Sequence, residues 1–208
     1  MVRITGFVVS TPDVESTAAA WKRLGAPGIE VVPGESGLAA VRLAVADVDA
    51  TSRLLERRGL TVRDGAVDLG GTTWRLVDEA PQARPGLHLD HVVLRSSDAV
   101  RATADFGGRL GLDLRLDRDT DFGFRGLFFR CGDAVVEVVV PHDGHEGPDV
   151  FGGLAWRCDG AATRERLIAD GVDVSEVRQG RKPGTRVATV RDRDLAVPTL
   201  LVGPVREP

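Results

Sequence analysis

The sequence predicts an α+β protein built from a repeated unit, in which a strand leads into a helix and then into a run of strands. Two pairs of matching segments carry that expectation. FVVSTPDVESTAAAWKRLG, residues 7–25, and HVVLRSSDAVRATADFGGRLG, residues 91–111, both run from an apolar strand through an Asp-containing turn into a helix that stops at Leu-Gly. LAVADVDATSRLLERRGLTV, residues 43–62, and LAWRCDGAATRERLIADGVDV, residues 154–174, repeat the same plan. Self-similarity of order and spacing marks a modular architecture. The chain has 208 residues, and a chain of this size buries roughly 70% of the surface its unfolded form exposes, enough for a genuine core.

In chain order, ITGFVVS reads as a strand and VESTAAAWKRL as a helix whose start is favoured by Asp13 or the preceding Thr-Pro. IEVV and AAVRLAV are strands, DATSRLLERRG is a second helix ending at Gly59, and LTVRD, AVDL and TWRLV complete the first half. That half is short for two full units and is missing a strand or two from its first. The Pro- and Gly-containing stretch from Asp78 to Leu87 interrupts two strand-like runs and marks a boundary. The expected organisation is a compressed N-terminal domain over 1–80, a linker over 81–87 and a fuller C-terminal domain over 88–208.

In the second half, LDHVVLR is a strand and a helix runs from about Ala99 to Leu110. LDLRLDR and GLFFRC follow as strands, and the Gly132-Asp133 pair between apolar runs signals a hairpin into AVVEVVVP. The last unit reads GLAWRC, the helix AATRERLIADG, VDVSEVR, a turn at RKPG, TRVATVR and VPTLLVG. Gly111 and Gly171 are left-handed helix stops.

Composition excludes several functions. A net charge of -4, with arginines and acids interspersed, lacks the concentrated basic face of a nucleic-acid binder. No apolar run reaches the ~20 residues that span a bilayer, and the N-terminus lacks a signal-peptide core. A soluble, cytoplasmic protein is expected, monomeric or homodimeric, whose partner is a small molecule. Cys131 and Cys158 form no CxxC pair and read as buried thiols.

The run DHVVL at residues 90–94, the helix ending in RLGL, the hairpin into VVEVVVP and the closing TVRDRDLAVPTLLV together resemble the vicinal oxygen chelate superfamily. That superfamily includes glyoxalase, bleomycin-resistance proteins, methylmalonyl-CoA epimerase and extradiol dioxygenases. The resemblance is fuller over residues 88–205 than over 2–78. It implies tandem βαβββ modules whose sheets curl around a cleft, with metal ligands on the first and last strand of each module. Carried over by position, those ligands fall on His91 and Glu137 in one module and on Gly153 and Thr199 in the other, so half of the usual set is absent.

Strand alternation puts residues i and i+2 on one face. His91, Val93 and Arg95 then share the cleft with Val135, Glu137 and Val139, with Gly153, Ala155 and Arg157, and with Val197, Thr199 and Leu201. Trp156 faces the helices. Three explanations of Glu137 remain open. A weakly held divalent metal on His91 and Glu137 would act as a Lewis acid, with His88, His142 or His145 as a third ligand off the family's positions. Alternatively, a carboxylate among valines, desolvated and so better able to take a proton from carbon, works with His91 and no metal. In the third, Glu137 pairs with Arg95 or Arg157 and closes the pocket.

The expected protein acts on, or binds, a small carbonyl- or oxygen-rich metabolite, as a lyase- or isomerase-type catalyst or as a binding protein of bleomycin-resistance type. Arg95, Arg157, Thr199 and Arg186 are the expected substrate contacts. A ring-cleaving dioxygenase is disfavoured, because that iron chemistry wants two histidines and a carboxylate. The turn GRKPGTRV reads first as a solvated hairpin tip and second as a clamp for an anionic ligand. The loop HDGHEGPD reads as surface. Phe122, Phe124, Phe128, Phe129 and Phe151 are divided between core and pocket.

Overall fold

The computed structural model describes residues 2–78, 86–144, 146–158 and 160–204. The first half contains β1 (Arg3–Thr11), α1 (Val14–Leu24), β2 (Ile29–Pro33), β3 (Gly37–Ala44), α2 (Val48–Arg57), β4 (Val62–Arg63), β5 (Ala66–Leu69) and β6 (Thr72–Val77). The second contains β7 (His88–Arg95), α3 (Ala99–Ala102) continuing as a π-helix over Thr103–Arg109, β8 (Asp113–Thr120), β9 (Phe124–Cys131) and β10 (Ala134–Pro141). It closes with β11 (Val150–Arg157), α4 (Gly160–Ala169), β12 (Arg178–Gln179), β13 (Thr185–Val190) and β14 (Thr199–Pro204).

The aspartate that recurs after the first strand of each unit starts the helix. Asp13 accepts from the Ser16 amide at 3.0 Å, Asp47 from Ala50 at 2.8 Å, and Asp98 from Val100 and Arg101, both at 2.9 Å. Each bond satisfies an amide that the first helical turn would leave open. In the fourth unit the corresponding Asp159 lies outside the described residues.

The strands form two mixed sheets, one of six in the order β2-β1-β3-β6-β5-β4 and one of eight in the order β12-β13-β14-β11-β7-β10-β9-β8. Within a complete unit the first strand lies parallel to the last, as β3 to β6, β7 to β10 and β11 to β14. Units join through antiparallel first strands, β1 with β3 and β7 with β11. In the first unit β2 runs parallel to β1 and takes the place of the last strand. That unit is therefore two strands short, which is the compression expected from its length.

One continuous cluster of buried side chains runs through both halves. Trp156 on β11 packs edge-on against Phe7 of β1 and Trp21 of α1, with ring centroids 5.9 and 6.4 Å apart. Trp74 on β6 meets Phe106 at 5.4 Å and Phe151 at 5.8 Å. Each such ring contributes about 1.5–3 kcal/mol by leaving water, with a further ~1 kcal/mol from the edge-to-face geometry. The Trp21 indole N–H donates to the Leu195 carbonyl at 3.0 Å.

Polar contacts cross the same boundary. The Asp149 amide donates to the Gly70 carbonyl at 2.7 Å, and the buried Asp149 carboxylate accepts from Arg101, which also faces buried Asp105. The acidic end of the HDGHEGPD loop is thus part of the core, whereas its start, residues 142–144, is at the surface. Most of the expected linker, residues 81–85, lies outside the described residues.

Candidate functional site

Alternation along the eight-stranded sheet divides its faces cleanly. Val92, Leu94, Leu127, Phe129, Val136, Val138, Leu154 and Trp156 are buried on the helix-covered face. The opposite face carries His91, Val93 and Arg95 on β7, Val135, Glu137 and Val139 on β10, and Phe124 and Phe128 on β9. Lateral register places Glu137 between Val93 and Phe128, and His91 between Ala155 and Val135. The two polar groups therefore sit in a trough of aliphatic and aromatic side chains, and they are the least exposed ionisable groups on this face, at 19% for His91 and 16% for Glu137.

His91 is held from both sides. Its Nδ1 is 2.8 Å from Asp90 Oδ2, and its Nε2 is 3.4 Å from Glu137 Oε2. Asp90 reaches the ring because β7 carries a bulge. Ala155 pairs with His91 and Trp156 with Leu89, leaving Asp90 unmatched, so that adjacent residues on one strand act together. The hydrogen bond from His91 holds the Asp90 carboxyl below the usual carboxylate range against the opposing effect of partial burial. The charges of His91, Arg157 and Lys182 act in the same direction.

Arg157 does not project into the trough as a free substrate contact. Its guanidinium donates to the Leu89 and Asp133 carbonyls at 3.2 and 2.9 Å and stands 3.6 Å from Asp90. It braces the ends of β7 and β10 and the carboxylate that orients His91. Glu137 faces His91, so the arginine pairing considered from sequence is made by Asp90 instead. Arg95 lies on the trough face, exposed, at the far end of β7.

Two expected contacts lie on the wrong face. Thr199 pairs with Leu154, is buried on the helix side and donates its hydroxyl to the Val197 carbonyl at 2.8 Å. Leu200, which pairs with Ala155, is the β14 residue that faces the trough. Sequence alignment placed the closing position one residue early, because nothing in VPTLLVG reveals where pairing begins. Arg186 pairs with Gly203 and alternates with buried Ala188 and Val190, which puts it on the helix face as well.

Gly153 occupies the position in its unit that His91 occupies in the preceding one, but it is more than a missing donor. Its φ is +148°, and a Cβ built there would stand 2.6 Å from the Pro198 carbonyl oxygen. No side chain fits without moving backbone. Of the further histidines considered as ligands, His88 is exposed at the start of β7, and His142 pairs with Asp119 at 3.1 Å. His145 lies outside the described residues.

A divalent ion fits the site only in part. Donors 3.4 Å apart suit two neighbouring ligands about 2.1 Å from one ion, and Asp90 on the distal ring nitrogen is the usual outer carboxylate of a histidine ligand. Among the described residues, however, no three His, Cys, Asp or Glu side chains converge. Cys131 is buried, its thiol pushed up to about 12 by that burial against the opposing effect of a backbone hydrogen bond at Ile4, and it also makes a long contact of 3.8 Å to the Val2 carbonyl. Cys158 is half-buried and forms no disulfide among the described residues.

Sequence reasoning missed Asp90 and Leu200, and named Phe128 only as one of several aromatics divided between core and pocket. Asp90 stands next to His91 in the sequence, and strict alternation assigns it to the other face. Among the described residues no helix is long and apolar enough to cross a membrane.

Neither a family model nor a curated protein matches the sequence. Solved structures do match. A mutant 4-hydroxymandelate synthase from Streptomyces coelicolor superposes with a TM-score of 0.78 at 12% identity, over 99% of this chain and 93% of that one. The trihydroxybiphenyl dioxygenase of a Sphingomonas wittichii strain gives 0.74 at 17%, over 97% and 90%. A Mn(II)-bound glyoxalase from Novosphingobium aromaticivorans gives 0.73 at 16%, over 100% and 84%. These identities speak for architecture alone. The chain has the two-sheet fold of the vicinal oxygen chelate superfamily.

Proposed function

We propose that the trough of the eight-stranded sheet binds a small carbonyl-containing metabolite and moves a proton on it, in a reaction of isomerase or lyase type. The observation that carries this reading is the line Asp90–His91–Glu137, in which Asp90 occupies Nδ1 and leaves Nε2 and the Glu137 carboxylate facing each other across 3.4 Å. The outer nitrogen is the one free to exchange a proton with Glu137 or with a substrate. Phe128 and Val93 flank Glu137 and limit water around it.

In the proposed step, ionised Glu137 takes the proton from the carbon next to the substrate carbonyl, and the C–H electron pair moves to form the enol double bond. Protonated His91 gives its Nε2 proton to the carbonyl oxygen. Asp90 stabilises the imidazolium before that transfer and fixes the ring afterwards. If the enol turns in the trough, Glu137 returns the proton to the opposite face of the same carbon and the oxygen proton goes back to His91, which completes an epimerisation. With a 2-hydroxycarbonyl substrate, Glu137 protonates the former carbonyl carbon and the neighbouring hydroxyl gives its proton to His91, which completes an isomerisation. Either route restores both groups. A divalent ion held by His91 and Glu137 would supply Lewis-acid polarisation of substrate oxygens. The two-donor set supports weak retention of such an ion.

The test is exchange of solvent deuterium into the carbon acids of a panel of 2-oxo and 2-hydroxycarbonyl compounds, followed by proton NMR. Glu137→Gln should abolish exchange while leaving the fold intact. The second reading, a non-catalytic binding protein of bleomycin-resistance type, is favoured by Gly153 and Leu200, which turn one wall of the trough apolar. Compounds that bind wild type without any exchange would select it. Elemental analysis of wild type, Glu137→Gln and His91→Ala reports whether an ion depends on these two side chains.

A further inference from the structure

The outermost strands of the eight-stranded sheet, β8 and β12, lie at opposite edges with six strands between them. In a flat sheet the turns at those edges would be roughly 30 Å apart, at ~4.8 Å per strand. They touch instead. The Arg181 guanidinium, in the turn after β12, lies 4.6 Å from the centre of the Phe122 ring in the β8–β9 turn and 5.4 Å from that of Phe124. Phe124 shares its face with Phe128, the neighbour of Glu137, so the contact closes over the trough side of the sheet. Phe122 remains 60% exposed with this contact in place.

Lys182 is carried by the same turn. It is exposed, makes no ion pair among the described residues, and follows directly on Arg181, whose contact with Phe122 and Phe124 brings this turn over the trough side of the sheet. The turn ends at Gly184 with φ +76°, preceded by Pro183, so the tip has a fixed bend. It is a preset arm that meets the opposite edge through a cation–π interaction worth about 0.5–1 kcal/mol at an exposed site. A latch of that strength opens readily.

We propose that residues 180–184 form a lid over the trough, latched by Arg181 on Phe122 and Phe124, and that Lys182 on this lid selects ligands bearing an anionic group. The proposal rests on the trough being the ligand site, but its test needs no turnover. The probes are iodoacetamide and iodoacetate, which differ in charge, with alkylation of His91 followed by mass spectrometry and exposed His142 as the internal reference. Deuterium exchange fails if the trough is not catalytic; alkylation fails if the lid is wrong.

Arg181→Ala and Phe122→Ala should each raise iodoacetamide alkylation of His91 relative to His142 by about threefold, the population shift expected when a contact of this strength is lost. Unchanged rates in both variants, including no alkylation of His91 in any of them, would overturn the latch. Arg181→Lys, which retains a cation over the rings, should stay near wild type. A unit charge acting over about 8 Å of water changes local anion concentration about twofold. The iodoacetate-to-iodoacetamide ratio at His91 should therefore fall about twofold in Lys182→Ala and about fourfold in Lys182→Glu, and converge among all three proteins in 1 M salt. A ratio independent of residue 182 refutes the selection of anions.

Discussion

Replacing Asp90 with Asn isolates the charge that orients His91 while keeping the size of the side chain. Two contacts change, the 2.8 Å hydrogen bond to His91 Nδ1 and the 3.6 Å approach of Arg157. A hydrogen bond to a charged group contributes about 1.5–3 kcal/mol, and Asn retains part of it as a neutral acceptor. The Arg157 pair is half exposed and adds no more than about 0.5 kcal/mol after screening. The expected loss is about 1–2 kcal/mol at neutral pH. The sign of its pH dependence follows from the depressed folded-state value of Asp90. A lowered carboxylate contributes stability that is fully present above the unfolded value near 4 and is lost as pH falls through the folded value. Wild type should therefore exceed Asp90→Asn from pH 5 upward, and the two should converge progressively below pH 4. Urea unfolding at a series of pH values measures the gap. A gap that stays constant from pH 7 down to pH 3, or no gap at any pH, would refute the ionised-Asp90 geometry.

Other perturbations test separate links. Leu200→Glu faces the trough and should add a third donor to His91 and Glu137, visible as Co(II) absorption bands absent from wild type. Thr199→Glu points into the core and should cost about 3–5 kcal/mol as an unpaired buried charge; metal binding by that variant instead would reverse the register argument. Trp156→Ala removes the ring shared by β1, α1 and β11 and should cost about 3–5 kcal/mol, lowering the stability of both halves in one transition. Probe-dependent unfolding, with one half unaffected, would contradict the common core. Cys131, its thiol pushed up to about 12 by burial, should react with a disulfide reagent only as fast as the protein opens, after half-buried Cys158 is labelled. Prompt modification of both thiols in the native protein would show that Cys131 is not sealed.

What could be read from the chain was whatever local chemistry dictates. The aspartates after each first strand were visible because a cap has a fixed offset from its helix, and the Gly132 turn because Gly-Asp between apolar runs has few alternatives. His91 and Glu137 were placed correctly on a common face because both lie in regular stretches of strand where period two holds. Asp90 was missed because strict alternation turns it away from His91 and only a bulge on β7 undoes that, so the cause lies in how β7 pairs with β11, not in DHVVL. Thr199 was misplaced for a related reason. Pairing on β14 starts immediately after Pro198, so a one-residue error turned the whole strand over. The meeting of Arg181 with Phe122 depends on the curl accumulated over six intervening strands, which no local pattern encodes.

The two walls of the trough now have different tasks. On the β7–β10 wall the register juxtaposes His91 and Glu137, and a bulge adds Asp90 behind them. On the β11–β14 wall the corresponding positions are Gly153, whose backbone conformation and contact with Pro198 leave no space for a side chain, and Leu200, which is apolar. The close approach of the Pro198 carbonyl means that this wall, as folded, has no room for a side-chain donor at Gly153. For the proposed reaction, an apolar wall facing a wall with one histidine and one carboxylate would orient a ligand with its oxygen-bearing end toward β7 and β10 and its carbon skeleton against β11 and β14. The fold supplies four strands on each side of that division, and the proposed chemistry would occupy only one of them.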